Sequence, residues 1–162
     1  MTVAALTTPL RIEPELPADA GSVEALMLQV FGPGRFAKTA ERLREKGTCI
    51  VGFVAREGGR VVGSVRLWAI RVGETPALFL GPIAVSPDSR STGLGADLVT
   101  ACLEQAKAGA CGGVLLVGDG AYFQRFGFVP APHACLPGPV DQRRVLWLVV
   151  NSETAVGDVR AA

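Results

Sequence analysis

The succession of apolar patterns along this chain predicts an α+β fold. The expected architecture is a single mixed, mostly antiparallel sheet of six to seven strands, with helices on both faces and one parallel strand pair that splays apart. Three observations carry that expectation. The middle of the chain alternates strand-like runs with tight turns, the pattern of antiparallel hairpins. A strand–helix–strand unit from Leu78 to Val117 follows, and such a unit makes a right-handed parallel crossover. The overall order reads β-α-α-β-β-β-α-β-α-β-β, which mixes antiparallel hairpins with one parallel crossover.

The elements follow in chain order. Leu10 to Leu16 alternates apolar and polar residues and reads as a first strand, ended by Pro17. Asp19 is placed to cap a helix over Ala20 to Phe31, with Val23, Leu26, Met27 and Val30 at helical spacing. Gly32-Pro33-Gly34 stops it. A second helix is expected over Phe36 to Lys46, with Lys38, Glu41, Arg42, Arg44 and Glu45 on its wetter side. Cys49 to Arg56 and Val61 to Val72 form a hairpin around Glu57-Gly58-Gly59-Arg60, and Leu78 to Val85 reads as a third strand. Leu94, Leu98, Ala101, Cys102 and Ala106 make one apolar stripe of a long helix. Val114 to Val117 has the all-apolar pattern of a buried parallel strand. Ala121 to Phe126 is a short helix stopped by Gly127, and Val145 to Val150 is the last strand. Residues 1–151 are read as one domain and 152–162 as a flexible tail.

Composition narrows the function. With 162 residues, 49% hydrophobic and 19% charged, the chain is sized for one globular domain with a sizeable core. A net charge of +1 gives no argument for nucleic acid or an anionic membrane. No apolar run approaches the ~18 residues of a spanning helix. No basic segment followed by an apolar core opens the chain, so the cytoplasm is the expected compartment. Cys49, Cys102, Cys111 and Cys135 lack metal-ligand spacing and there is a single histidine, so no metal is expected.

The most informative stretch is Arg90-Ser91-Thr92-Gly93-Leu94-Gly95. A strand there empties through a glycine-punctuated loop into a helix start, where unpaired N–H groups and the positive dipole end favour a phosphate or pyrophosphate. There is no G-x-x-x-x-G-K-[ST] loop, and the stretch lacks the third glycine of the dinucleotide fingerprint.

Ile83-Ala84-Val85, the Arg90-x-x-Gly93-x-Gly95 loop, a helix, a strand and then Tyr122-Phe123-x-Arg125-Phe126-Gly127-Phe128 together resemble the GCN5-related N-acetyltransferases. Gly81-Pro82-Ile83-Ala84-Val85 and Leu116-Val117-Gly118-Asp119 look most like that family's YhbS-like branch of predicted acetyltransferases. The resemblance is strongest over Leu78 to Pro130. It implies transfer of an acetyl group from acetyl-CoA directly to a primary amine. Carried over by motif position, Arg90, Ser91, Thr92, Gly93, Leu94 and Gly95 would hold the CoA pyrophosphate. The edge of Ile83, Ala84 and Val85 would pair with the pantetheine arm, and Phe123 would border it. The Ile83 N–H would be the oxyanion donor.

Two departures from the family pattern stand out. The position of a glutamate base in histone-acetylating relatives is Pro82, and the usual tyrosine acid position is Phe123. Tyr122 is therefore a candidate acid against a purely structural aromatic. Asp119, Glu74 and His133 are candidate bases, with Asp119 equally placed to cap a helix. A non-catalytic CoA-binding module is the competing reading. The acceptor would be read by the N-terminal helices, the Arg71 to Thr75 turn and the Pro130 to Pro139 loop, and Val145 to Val150 could serve a homodimer.

Overall fold

A computed structural model describes residues 10–89 and 93–162. The main path of the sheet runs β1-β2-β3-β4-β6-β9-β7, with the strands β1 Leu10–Pro14, β2 Cys49–Glu57, β3 Arg60–Val72, β4 Thr75–Leu80, β6 Gly113–Val117, β7 Val129–Pro130 and β9 Val145–Val149. Three short strands join it: β5 Ala84–Val85, β8 Ala134–Cys135 and β10 Gly157–Ala161. Among the described residues four α-helices cover the sheet: α1 Ala20–Phe31, α2 Thr39–Glu45, α3 Leu94–Ala108 and α4 Gly120–Phe123. The expected mixed, mostly antiparallel sheet is present. On its main path the parallel neighbours are β4 and β6.

Strand periodicity sorts the core into two faces. Val114 and Leu116 of β6 and Leu146 and Leu148 of β9 face α3, where they meet Leu94, Leu98, Cys102 and Ala106. Leu115, Val145 and Trp147 point the other way, with Phe79 and Leu43 of α2. Val23, Leu26 and Met27 of α1 pack on Val54 and Ala84, while Ala55 turns to the α3 side. The stripes read in the sequence on α1 and α3 are thus the buried faces of those helices.

Four expectations are revised. First, the run Leu78 to Val85 is not one strand. Leu80 pairs with Leu67 and Ala84 with Ser64, so four steps on one strand oppose three on β3. The extra residue is a bulge at Gly81-Pro82, where proline has no N–H to give the ladder. Second, 152–162 is not a loose tail over its whole length. β10 pairs antiparallel with β3 through Val159↔Val72, Arg160↔Arg71 and Ala161↔Ile70, and Val159 is buried. It takes the β3 edge where β2 ends, at Trp68. Third, the second helix begins at Thr39, after a 3-10 turn over Pro33–Ala37. Fourth, β9 lies between β6 and β7, and Val145 to Leu148 are buried inside the chain, so its apolar character needs no second copy. Asp19 occupies the α1 N-cap position without capping; its carboxylate accepts instead from the Leu16 N–H and Arg56.

Candidate active site

The bulge positions the site. Ser86 N–H donates to Val62 O at 2.8 Å, so Ser86 and Ala84 are the residues of this segment hydrogen-bonded to β3. Hydrogen-bonding direction alternates along an antiparallel strand, which turns the N–H and C=O groups of Ile83 and Val85 away from β3. On that side β6 pairs with β4 only at Leu78↔Val114 and Phe79↔Leu115. Past Phe79 the two strands part, and among the described residues no strand covers the outer edge of β5. The bulge is pinned from β3: Gly81 N–H donates to Arg66 O at 2.8 Å, and the Trp68 indole donates to Gly81 O at 2.7 Å.

The start of α3 stands beside this edge. Gly93 takes the N-cap position at φ 78°, a left-handed conformation natural to glycine, and makes no side-chain cap bond. The first main-chain donor returned to the helix is Asp97 N–H, to Gly93 O. Among the described residues the N–H groups of Leu94, Gly95 and Ala96 have no main-chain acceptor, as in the first turn of any helix. A Cβ built on Gly93 would meet nothing within 4 Å. One on Gly95 would lie 3.9 Å from Val85 Cγ2 and 4.0 Å from the Tyr122 hydroxyl. Open space in front of a bare helix start, continuous with a free strand edge, fits a diphosphate with an extended arm. Arg90, Ser91 and Thr92 lie outside the described residues.

Beyond the gap is a cavity of about 680 Å³. Leu80, Pro82 and Ile83 line it from the bulge, Leu116 and Val117 from β6, and Phe123 from α4. Adjacent aromatics take different sides. Phe123 packs on Gly118 and faces the cavity, whereas Tyr122 turns its hydroxyl to Gly95 and carries Arg125 over its ring at 4.2 Å. Asp119 is exposed and caps α4, its carboxylate accepting from Ala121 N–H at 3.0 Å. Glu74 and His133 do not line the cavity, nor does the Arg71 to Thr75 turn. That turn is tied to β10, with Arg160 donating to Gly73 O. From the Pro130 to Pro139 loop only Pro139 contributes to the wall.

The sequence reading missed one group of residues. Glu41 and Arg44, assigned to the wet side of α2, turn inward with only 12% of each side chain exposed. Arg35 is 10% exposed and bonds the same carboxylate, at 3.4 Å, while Arg44 reaches it at 3.2 Å. The signal was weak because paired interior charges look like solvated ones in a single sequence.

The sequence model of the acetyltransferase (GNAT) family matches residues 22–128, which include both halves of the gap. The chain belongs to the GNAT family of acetyltransferases. The uncharacterised N-acetyltransferase YhbS of Escherichia coli K12 is 34% identical over 125 residues, 75% of each chain. YjhQ of the same strain, an uncharacterised N-acetyltransferase, is 26% identical over 159 residues, 90% of this chain and 88% of that one. A crystal structure of E. coli YhbS in complex with CoA superposes with a TM-score of 0.82 at 28% identity, over 96% of this chain and 91% of that chain. A Brucella melitensis GNAT acetyltransferase in complex with acetyl-CoA gives a TM-score of 0.72 at 25% identity, over 96% and 97%. This GNAT protein is accordingly an N-acetyltransferase. No helix among its described residues is long and apolar enough to cross a membrane, and no group of three or more metal-binding side chains occurs among them.

Proposed function

We propose that this GNAT enzyme transfers an acetyl group from acetyl-CoA to a primary amine across the gap between β5 and β6. The observation that carries the reading is the pairing of a bare α3 start with the free β5 edge. The coenzyme supplies the activated acyl group as a thioester. The α3 amides after Gly93 hold its diphosphate, and the outward-facing groups of Val85 and Ile83 hydrogen-bond its arm as an added strand would. Phe123 closes the gap from the α4 side.

The Ile83 N–H then faces the thioester carbonyl and stabilises the negative charge that grows on its oxygen. The amine nitrogen attacks the carbonyl carbon, the C–S bond breaks, the thiolate leaves and the ammonium proton passes to water. Pro82 has no proton to give or take, and Asp119 is committed to its cap. The Tyr122 hydroxyl, beside Gly95, contacts the coenzyme arm. Holding both reactants in one gap supplies a large part of the rate.

The test is thiol release from acetyl-CoA over a panel of primary amines, with Tyr122→Phe alongside. Acetyl-CoA-dependent acetylation of at least one amine is expected. Tyr122→Phe should weaken CoA binding a few-fold and leave kcat within about twofold, the loss of one hydrogen bond at the arm. A tenfold or greater fall in kcat with CoA affinity intact would instead make Tyr122 the acid for the departing thiolate.

A further inference from the structure

We propose that the acceptor is a small primary amine that also carries an anionic oxygen group, with Arg44 as the residue that seats that group. The inference rests on the acetyl-transfer reading above and adds the acceptor's chemical class. Among the described residues, Arg35, Lys38, Arg42, Arg44 and Arg144 line the cavity against the carboxylates of Glu41 and Asp141, a surplus of three positive charges. Neither carboxylate is free. Asp141 is held by Arg143 outside the wall at 3.1 Å, and Glu41 is shared between Arg35 and Arg44. Arg35 also has Glu24 at 2.7 Å, so Arg44 is the under-compensated member of the network. Burial pushes its guanidinium down to about 10, although it stays protonated at neutral pH. It lies over the Phe79 ring at 5.1 Å, a seat that fixes its plane.

Its position ties it to the reaction. Arg44 Nη2 stands 2.7 Å from where a Cβ on Gly81 would be, and its ion pair to Glu41 runs through Nη1. Ile83 is two chain steps from Gly81, at most ~7 Å. An anion on Arg44 and an amine at the thioester therefore belong to one small molecule, its two groups a few bonds apart. A guanidinium in a low-dielectric wall gains most from an oxyanion that takes two N–H bonds. A cationic amine such as spermidine meets like charge there. The coenzyme's own phosphates do not account for the surplus, because Gly93 and Gly95 are not part of this wall. The cavity volume falls within the ~300–1,000 Å³ of small-molecule sites.

The experiment measures kcat/KM for acetylation of matched amines by the full chain, with CoA affinity measured in parallel by calorimetry. γ-Aminobutyrate is compared with butylamine, O-phosphoethanolamine with ethanolamine, and spermidine serves as the cationic control. The two anionic compounds separate a carboxylate acceptor from a phosphate one. The anionic member of at least one pair should be preferred by about tenfold or more, mainly in KM, the worth of one charge-assisted bond. Arg44→Met, which keeps the stem, should shrink that preference below about threefold, and Arg144→Ala should reduce it in part. If Arg44→Met does not fold, Arg144→Ala and a rise in the anionic amine's KM with salt decide the matter. Equal or better turnover of the neutral member in both pairs, or of spermidine over both anionic amines, overturns the inference and leaves acetyl transfer standing. Failure to bind CoA overturns the functional reading and the inference with it. If CoA binds but no amine turns over, both pairs are titrated into the CoA complex. Tighter binding of the anionic member of either pair supports the inference, and equal affinity within both pairs overturns it.

Discussion

Asp119 accepts from the Ala121 N–H at 3.0 Å and begins α4, the element that carries both Tyr122 and Phe123. Its position beside the gap made it a candidate base in the sequence; its geometry is that of an N-cap. Asn caps as well as Asp but is no base, so two substitutions separate the roles. Asp119→Ala should lower stability by about 1 kcal/mol, while Asp119→Asn should keep both stability and kcat. A large fall in kcat for Asp119→Asn at unchanged Tm would restore the base. Asp19 is a second residue with a measurable signature. The Arg56 hydrogen bond at 2.6 Å, then the Leu16 N–H, hold its carboxyl below the usual carboxylate value. A carboxyl depressed by folding stabilises the protein above its unfolded pKa of about 3.9, and that stability is lost as pH falls below it. Asp19→Asn should flatten the decline of Tm with falling pH in that acid range. An unchanged slope would mean that the bond contributes nothing to folding.

At the scale of elements, the legible parts were those whose signals are local. α1 and the Glu57 to Arg60 turn were placed by helical spacing, proline and paired glycines, and they occupy the expected residues. The interruption of the third strand was hidden, because Leu78 to Val85 stays apolar across the bulge and only Gly81-Pro82 marks it. The inward turn of Glu41 and Arg44 was hidden for a different reason: a helix pattern distinguishes apolar from polar, not paired from solvated. β6 shows how close packing constrains a strand end. A Cβ on Gly113 would collide with the Trp147 ring and with the Leu148 carbonyl oxygen on β9. The obstacle is partly backbone, so it cannot swing aside. Gly113→Ala should therefore cost about 1–3 kcal/mol in urea unfolding, as overpacked sites do. A change under about 0.5 kcal/mol would show that β6 and β9 can slide apart.

For the whole molecule, the sheet and its helices were predictable while its closure by the C-terminal segment was not. β10 has only five residues, and its strand partner on β3 is distant in the sequence, so no short-range pattern could announce it. The same strand meets β8 in parallel, which joins the loop after β7 to the middle of the sheet. Val159 is 2% exposed in that junction. Val159→Asp puts an unpaired charge there and should lower Tm well beyond the effect of a surface change. A Tm within about 1 °C of wild type would return the segment to the status of a tail, since surface substitutions stay near ±0.5 kcal/mol.

All of these parts serve one arrangement, a bare helix start beside a strand edge that its neighbour has left. Calorimetric titration of CoA into the wild-type chain and into Gly95→Glu tests that arrangement directly. Gly95 has room for a side chain between Val85 and Tyr122, so the variant should fold with a Tm close to wild type while its carboxylate fills the seat of the diphosphate. The expected result is saturable binding by the wild type and at least a hundredfold loss in the variant, about 2.7 kcal/mol. Equal CoA affinity in the two proteins would contradict the account.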